Sequence, residues 1–380
     1  MGTRARSLSL ALCGCGAAVV LVVGQVASCG EMKVRAEEAS DSLAAAEARV
    51  HVQEHQRQTL DVVMQLRKDY PQNADACYLL GKVHLYYGNS AKALECWEEG
   101  LLLAPDRGDF YDAMAAVALS KAEYRKAADL CRRGIEKSPA TPDLHRHLGE
   151  ALNGLLRPEE AAGELEREVK LSPQDAEVRF LLGQTYSVLK QYDKAKVCYE
   201  AAIELQAGDH RYHYGLTTAC ARLGLEEEAQ RHSKEFERLR AKNMEVQRSR
   251  RDVSYDVATA RRIFVETSSK AAWIYTRNRN ASAAEDLLRK AVEADPKGTY
   301  AREELAGFFV MHGRLASAVI AYKELIALEP EDAMHRLHLG MTYAKLRQFA
   351  AARIEAKRAI ELAPENEQCR EFYRQMGGGK

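Results

Sequence analysis

No sign of charge dominates this 380-residue chain, in which 55 Lys and Arg meet 55 Asp and Glu. That balance disfavours nucleic acid as the main partner, because phosphate binding calls for an excess of clustered cations. The usual catalytic signatures are missing too. There is no H-E-x-x-H, G-x-S-x-G, P-loop or G-x-G-x-x-G anywhere in the sequence. Nine cysteines include no C-x-x-C pair, which removes the common zinc and redox motifs. Proline is scarce at 9 residues, and neither Gly nor Pro occurs between 225 and 295. What remains is a globular composition, 46% hydrophobic and 29% charged, which excludes a disordered or collagen-like chain.

The amino terminus reads as an export signal. Arg4 and Arg6 form a short basic region, and no charge follows from Leu8 to Ala27. The stretch ends in Val26-Ala27-Ser28-Cys29, which resembles the lipobox of bacterial lipoproteins. The resemblance implies cleavage before Cys29, acylation of that residue and a membrane-anchored, exported protein on the periplasmic or outer-membrane side. Gly30 in place of Asp after the Cys favours the outer membrane in enteric bacteria. Each buried CH₂ contributes ~0.8 kcal/mol, so several acyl chains on one residue anchor where one does not. Two alternatives stay open: an uncleaved signal-anchor helix, since 20 uncharged residues can just span a bilayer, and cleavage after Ser28 that releases a soluble protein. N-myristoylation is disfavoured, because Arg6 stands where that motif has Ser or Thr. Losing 1–28 removes Arg4 and Arg6, and with them two positive charges. Cys77, Cys96, Cys131, Cys198, Cys220 and Cys369 then read as small core residues.

A 34-residue period organises the rest. Prolines fall at 71, 105, 139 and 173, and again at 296, 330 and 364. Two residues after each stand Asn73, Arg107, Thr141, Asp175, Gly298, Asp332 and Asn366, most of them good N-caps. Each proline should therefore end one helix, with the next beginning three residues later. Ala93, Ala127, Ala161, Ala195, Ala284, Ala318 and Ala352 share one phase, where a small residue lets two helices approach closely. The two proline lattices are offset, and the surplus near 242–262 carries six Lys and Arg against three acids. A solvated helix face explains that basic run better than nucleic acid or anionic lipid.

The pattern Cys77, Leu80-Gly81, His84, Ala93, Trp97, Pro105 resembles the tetratricopeptide repeat (TPR) family. Arg179, Leu182-Gly183, Tyr186, Ala195, Tyr199 repeats it, with Ala207 in place of the last Pro. The resemblance implies an all-α solenoid, a right-handed superhelix of helix–turn–helix repeats preceded by the signal peptide. The expected layout is a signal at 1–28 and a helical spacer with a partial first repeat at 29–73. Five repeats follow at 74–243, the last degenerate, then a basic linker helix at 244–264. Three repeats at 265–366 and a capping helix with a flexible tail at 367–380 complete it. The sub-arrays are expected to hinge near 242–262.

The family's concave face implies partner-binding positions at Tyr78, Lys82, Tyr86, Arg146, His147, Glu150, Asn153, Phe180, Gln184 and Tyr214. Aromatic bodies with scattered polar groups suit an extended peptide or a partner helix. The Lys/Asn clamp of chaperone-tail binders is absent, since its positions hold Tyr78/Lys82, Asp112/Ala116, Arg146/Glu150 and Phe180/Gln184. Close histidine pairs occur at 145/147, 210/213 and 335/338, but no carboxylate or Cys completes a set at metal-binding spacing. No metal or cofactor is expected. The sequence is thus read as a membrane-tethered scaffold binding protein or peptide partners, on the analogy of lipoproteins that assist envelope assembly. The alternatives are an adaptor on an uncleaved anchor and, behind it, the substrate-recruiting part of an enzyme.

Overall fold

Proline lacks a backbone donor and cannot continue a helix, so the two lattices divide the chain into short helices joined by tight turns. The computed structural model describes residues 29–249 and 253–378; the expected signal over 1–28 lies outside the described residues. Among the described residues every regular element is a helix. The first, α1, spans Cys29–Asp69. The chain up to Glu47 forms one unit and everything from Ala48 onward a second.

In the second unit the helices come in antiparallel pairs. α2 (Ala74–Tyr86) pairs with α3 (Ser90–Leu103), and α4 (Gly108–Ser120) with α5 (Tyr124–Lys137). α6 (Leu144–Gly154) and α7 (Pro158–Leu171) follow, then α8 (Ala176–Val188) and α9 (Tyr192–Leu205). α10 (His210–Arg222) pairs with the longer α11 (Glu226–Ser249). Beyond it lie α12 (Val253–Arg277) with α13 (Ala281–Ala294), α14 (Tyr300–Met311) with α15 (Leu315–Leu328), and α16 (Ala333–Lys345) with α17 (Phe349–Leu362). α18 (Glu367–Gln375) comes last and presses Phe372 against Gly340. The tail does not fray at once: Gly377 and Gly378 donate backbone hydrogen bonds to Arg374 and Tyr373.

Local chemistry accounts for the pairing. Asn73, Asp175, Asp332 and Asn366 each accept a backbone N–H from the first turn of the following helix. Thr141 does not, which departs from the sequence expectation. Pro142 follows it and disfavours the helical region there, and α6 begins only after Asp143. Gly298 has no side chain to cap with, and α14 starts after Thr299. Between the helices of each pair one residue adopts a left-handed conformation, at Gly88, Ala122, Leu156, Lys190, Gly224, Arg279, Gly313 and Arg347. The Leu-Gly glycines are close-approach sites, because a Cβ on Gly183 would sit 2.7 Å from the Tyr199 ring.

The junction between sub-arrays differs from a hinge. Ile274 and Tyr275 of α12 share one buried cluster with Val63 and Leu66 of α1 and Leu79 and Val83 of α2. Tyr275 donates its hydroxyl to Asp69 Oδ2 at 2.5 Å, and Tyr70 meets its ring edge-on at 5.4 Å. Fully burying such side chains contributes ~1.5–3 kcal/mol each, whereas a surface pair such as Arg277–Asp75 contributes ~0–1 kcal/mol. Apolar burial therefore fastens the start of the second sub-array to the start of the first. Residues 242–262, expected as one bridging helix, fall at the end of α11 and the start of α12, with 250–252 outside the described residues.

Candidate functional site

The sequence-predicted positions divide into two groups. Over α2 to α6 the side chains are largely engaged with one another. Tyr78 is half-buried, edge-on to Phe110 at 5.4 Å, with the Arg107 guanidinium 5.7 Å from its ring. Burial, aided by the Asp109 and Asp112 charges, pushes its hydroxyl up to about 12. The Lys82 ammonium lies 5.8 Å over the same ring, while Tyr86 stays exposed. Arg146 donates to Asp143 at 2.8 Å and to Glu150 at 2.9 Å. His147 is buried, its Nδ1 2.7 Å from Asp112 Oδ1. Asn153 donates to Thr185 Oγ1 at 2.8 Å. The His147–Asp112 and Asn153–Thr185 pairs join neighbouring repeats, Arg146 is satisfied within its own helix, and few donors are left for a ligand.

Over α8, α10 and α11 the face opens into a cavity of about 690 Å³ that brings Phe180, Gln184 and Tyr214 together. Phe180 is buried at the floor, 5.1 Å from Tyr212 and 6.0 Å from Tyr199. It is a packing residue as much as a contact. Tyr214 is 60% exposed and leans on Phe236 at 5.4 Å. Gln184 and Thr218 are exposed and offer hydrogen bonds at the rim. Arg211 is tied to Asp209 and Glu177, each at 2.7 Å, and crosses the Phe180 ring at 5.1 Å. The Arg240 guanidinium sits 5.8 Å over Phe236. The cavity is thus an aromatic floor with a cationic edge, a lining suited to an apolar side chain carried on a polar backbone.

In the 145/147 and 210/213 pairs the histidines turn to other partners. His145 meets Glu164 at 2.6 Å, His213 stacks on His232 with their Nδ1 atoms 3.1 Å apart, and His210 stacks on Phe236. Burial pushes both His213 and His232 below the usual histidine range. Cys77, Cys131, Cys220 and Cys369 are buried thiols, and burial raises Cys131 to about 12. They are poor nucleophiles at neutral pH.

Sequence reasoning missed Phe236 and Arg240 as site residues. They lie on α11, a second helix of its pair, whereas the family's concave positions lie on first helices. The signal available was the absence of Gly and Pro beyond 225, which lets α11 run past its repeat.

Profiles described as tetratricopeptide repeat match residues 74–107, 157–223, and 113–176, 270–328 and 312–367. Among solved structures, a crystal structure of MamA aligns at TM-score 0.41 and 19% identity, over 44% of this chain and 97% of that one. MamA 41-end from Desulfovibrio magneticus RS-1 aligns at 0.39 and 20% identity, over 47% and 97%. YrrB, described as a TPR protein with an unusual peptide-binding site, aligns at 0.27 and 17% identity, over 56% and 99%. No curated protein matches the chain.

Proposed function

We infer the function from the premise that this chain belongs to the tetratricopeptide repeat family. It is a protein-interaction scaffold, and its binding site is the α8–α10–α11 cavity. The observation that carries this reading is the cavity lining: Tyr214 provides exposed and Phe236 half-buried aromatic area, and Gln184 and Thr218 provide hydrogen bonds at the rim. An extended peptide with an apolar or aromatic anchor fits that chemistry, the anchor supplying area and the backbone contacts supplying register. The reading gives the protein no catalytic role.

The scaffold is exported and tethered to a membrane through lipid on Cys29, and it serves the assembly of envelope machinery. Support for the tether is in the sequence: a basic start, an uncharged run from Leu8 to Ala27, and the Val26-Ala27-Ser28-Cys29 ending. No helix among the described residues is long and apolar enough to cross a membrane. Intact mass of the native protein tests the tether. A lipoprotein loses residues 1–28 and gains acyl groups, whereas a chain retaining them is the adaptor on an uncleaved anchor.

The groove is tested by a cross-linked pull-down read by mass spectrometry, beside a Tyr214→Ala/Gln184→Ala variant with unchanged helical circular dichroism. Both residues are exposed, so the variant should keep its fold. Loss of a small partner set from the variant supports the cavity, and an unchanged set removes it. Binding of a captured peptide should weaken by about fivefold or more, since truncating a hot-spot aromatic costs over ~1 kcal/mol.

A further inference from the structure

His335, near the start of α16, is 3% exposed, and its two ring nitrogens have unlike surroundings. Nε2 lies 2.8 Å from Glu303 Oε1, on α14 of the preceding repeat. Nδ1 is buried without a hydrogen-bond partner. The carboxylates facing Nδ1 are Glu329, at 3.8 Å, and Asp332, at 3.9 Å. One candidate ligand atom from each of Glu303, Glu329 and His335 lies within 4.8 Å of the other two.

If Nε2–H donates to Glu303, Nδ1 presents a lone pair to carboxylate oxygens across a gap too long for a hydrogen bond. Facing electron-rich groups of this kind are satisfied by a cation between them, either a proton on Nδ1 or a metal ion. We propose that His335 Nδ1 and Glu329 bind a divalent metal ion, with Glu303 orienting the imidazole from Nε2, and that the site selects Zn²⁺ over Mg²⁺ and Ca²⁺ because the hard ions prefer all-oxygen sets.

Zinc binds imidazole nitrogen and carboxylate oxygen at ~2.0–2.2 Å, which places tetrahedral ligand atoms ~3.4 Å apart. The 3.8 Å separation closes to that value by a small rotation of the Glu329 side chain, which is half exposed. Glu303 on the opposite nitrogen is the carboxylate that orients a metal-binding imidazole and raises its basicity. Asp332 is held as the α16 N-cap by the Met334 and His335 amides and adds negative charge in place. Water completes the coordination. An ion here ties the C-terminal end of α15, through Glu329, to α16 and so staples two adjacent repeats of the second sub-array. Spacing along the sequence conceals the set, because Glu303 precedes His335 by 32 positions.

The test is calorimetric titration of the purified full-length protein with ZnCl₂, beside Glu329→Gln, His335→Gln and Glu303→Gln variants and a His338→Gln control. One equivalent should bind to the wild type and to the control, raising their melting temperature. Glu329→Gln and His335→Gln should lose at least about tenfold in affinity, and Glu303→Gln about 10–100-fold, the range for loss of an orienting partner. MgCl₂ should give no comparable heat. Should His335→Gln lose its helical circular dichroism, the half-exposed Glu329 variant decides alone. The site is overturned if the wild type binds less than one equivalent, or if Glu329→Gln binds zinc as the wild type does.

Discussion

The face over α4 and α6 and the face over α8 and α10 are built from the same repeat positions and end in opposite states. At the first, Arg146 is closed off by Asp143 and Glu150, and His147 by Asp112. At the second, Tyr214 stands 60% exposed at the mouth of a cavity. The difference lies in what the neighbouring repeat supplies. Asp112, from the preceding pair, meets His147 and neutralises it as a contact, whereas the long α11 extends past α10 and adds an aromatic wall. Repeat position alone therefore does not make a residue a binding residue.

Truncating the floor of the open face should have the largest effect. Tyr199 is 3% exposed and wedged against Gly183 and Gly215, so Tyr199→Ala should cost ~3–5 kcal/mol in chemical denaturation and abolish ligand binding with it. On the closed face, Asp112→Ala leaves a buried imidazole without its partner and should cost ~1–3 kcal/mol. Peptide binding should survive that change at temperatures where the variant is folded; a loss there would erase the distinction between the faces. Leu156→Gly should act in the other direction. Leu156 is left-handed at φ 59° and 88% exposed, so the substitution relieves strain without loss of packing. A gain of up to ~1 kcal/mol is expected, less than the full left-handed penalty because glycine also loosens the unfolded chain. The corresponding turn beside the cavity already has Gly224.

The smallest effect is a pH dependence to which the histidines between α10 and α11 contribute. Burial holds His213 and His232 below their unfolded value near 6.5, so folding favours their neutral forms. Their contribution is complete above that value and is lost as pH falls through the lower folded ones. Melting temperature should decline between pH 7 and 5, and His232→Gln should flatten the decline. An equal slope in the variant would place the titration elsewhere.

The repeat architecture was legible because its determinants are local. Pro71 and Asn73 end one helix and cap the next with no help from distant residues, and the same chemistry recurs at Pro173/Asp175 and Pro330/Asp332. Thr141 was misread only because Pro142 changes the backbone beside it. The site was less legible. Phe180 and Tyr214 both fit an aromatic concave position, yet one became floor and the other rim, since burial depends on neighbours that the pattern does not name.

By itself, the amino-acid sequence determined the helix pairs, their 34-residue phase, the small residues at their crossings and the family to which they belong. Each of these rests on residues within a few turns of one another, where spacing along the chain equals spacing in the fold. Only the tertiary structure decided that α12 seats on α1 and α2, that α11 completes the cavity, and that His335 lies among three carboxylates. Those contacts join residues from 3 to 206 positions apart, and at the longer separations burial and charge depend on distances through space.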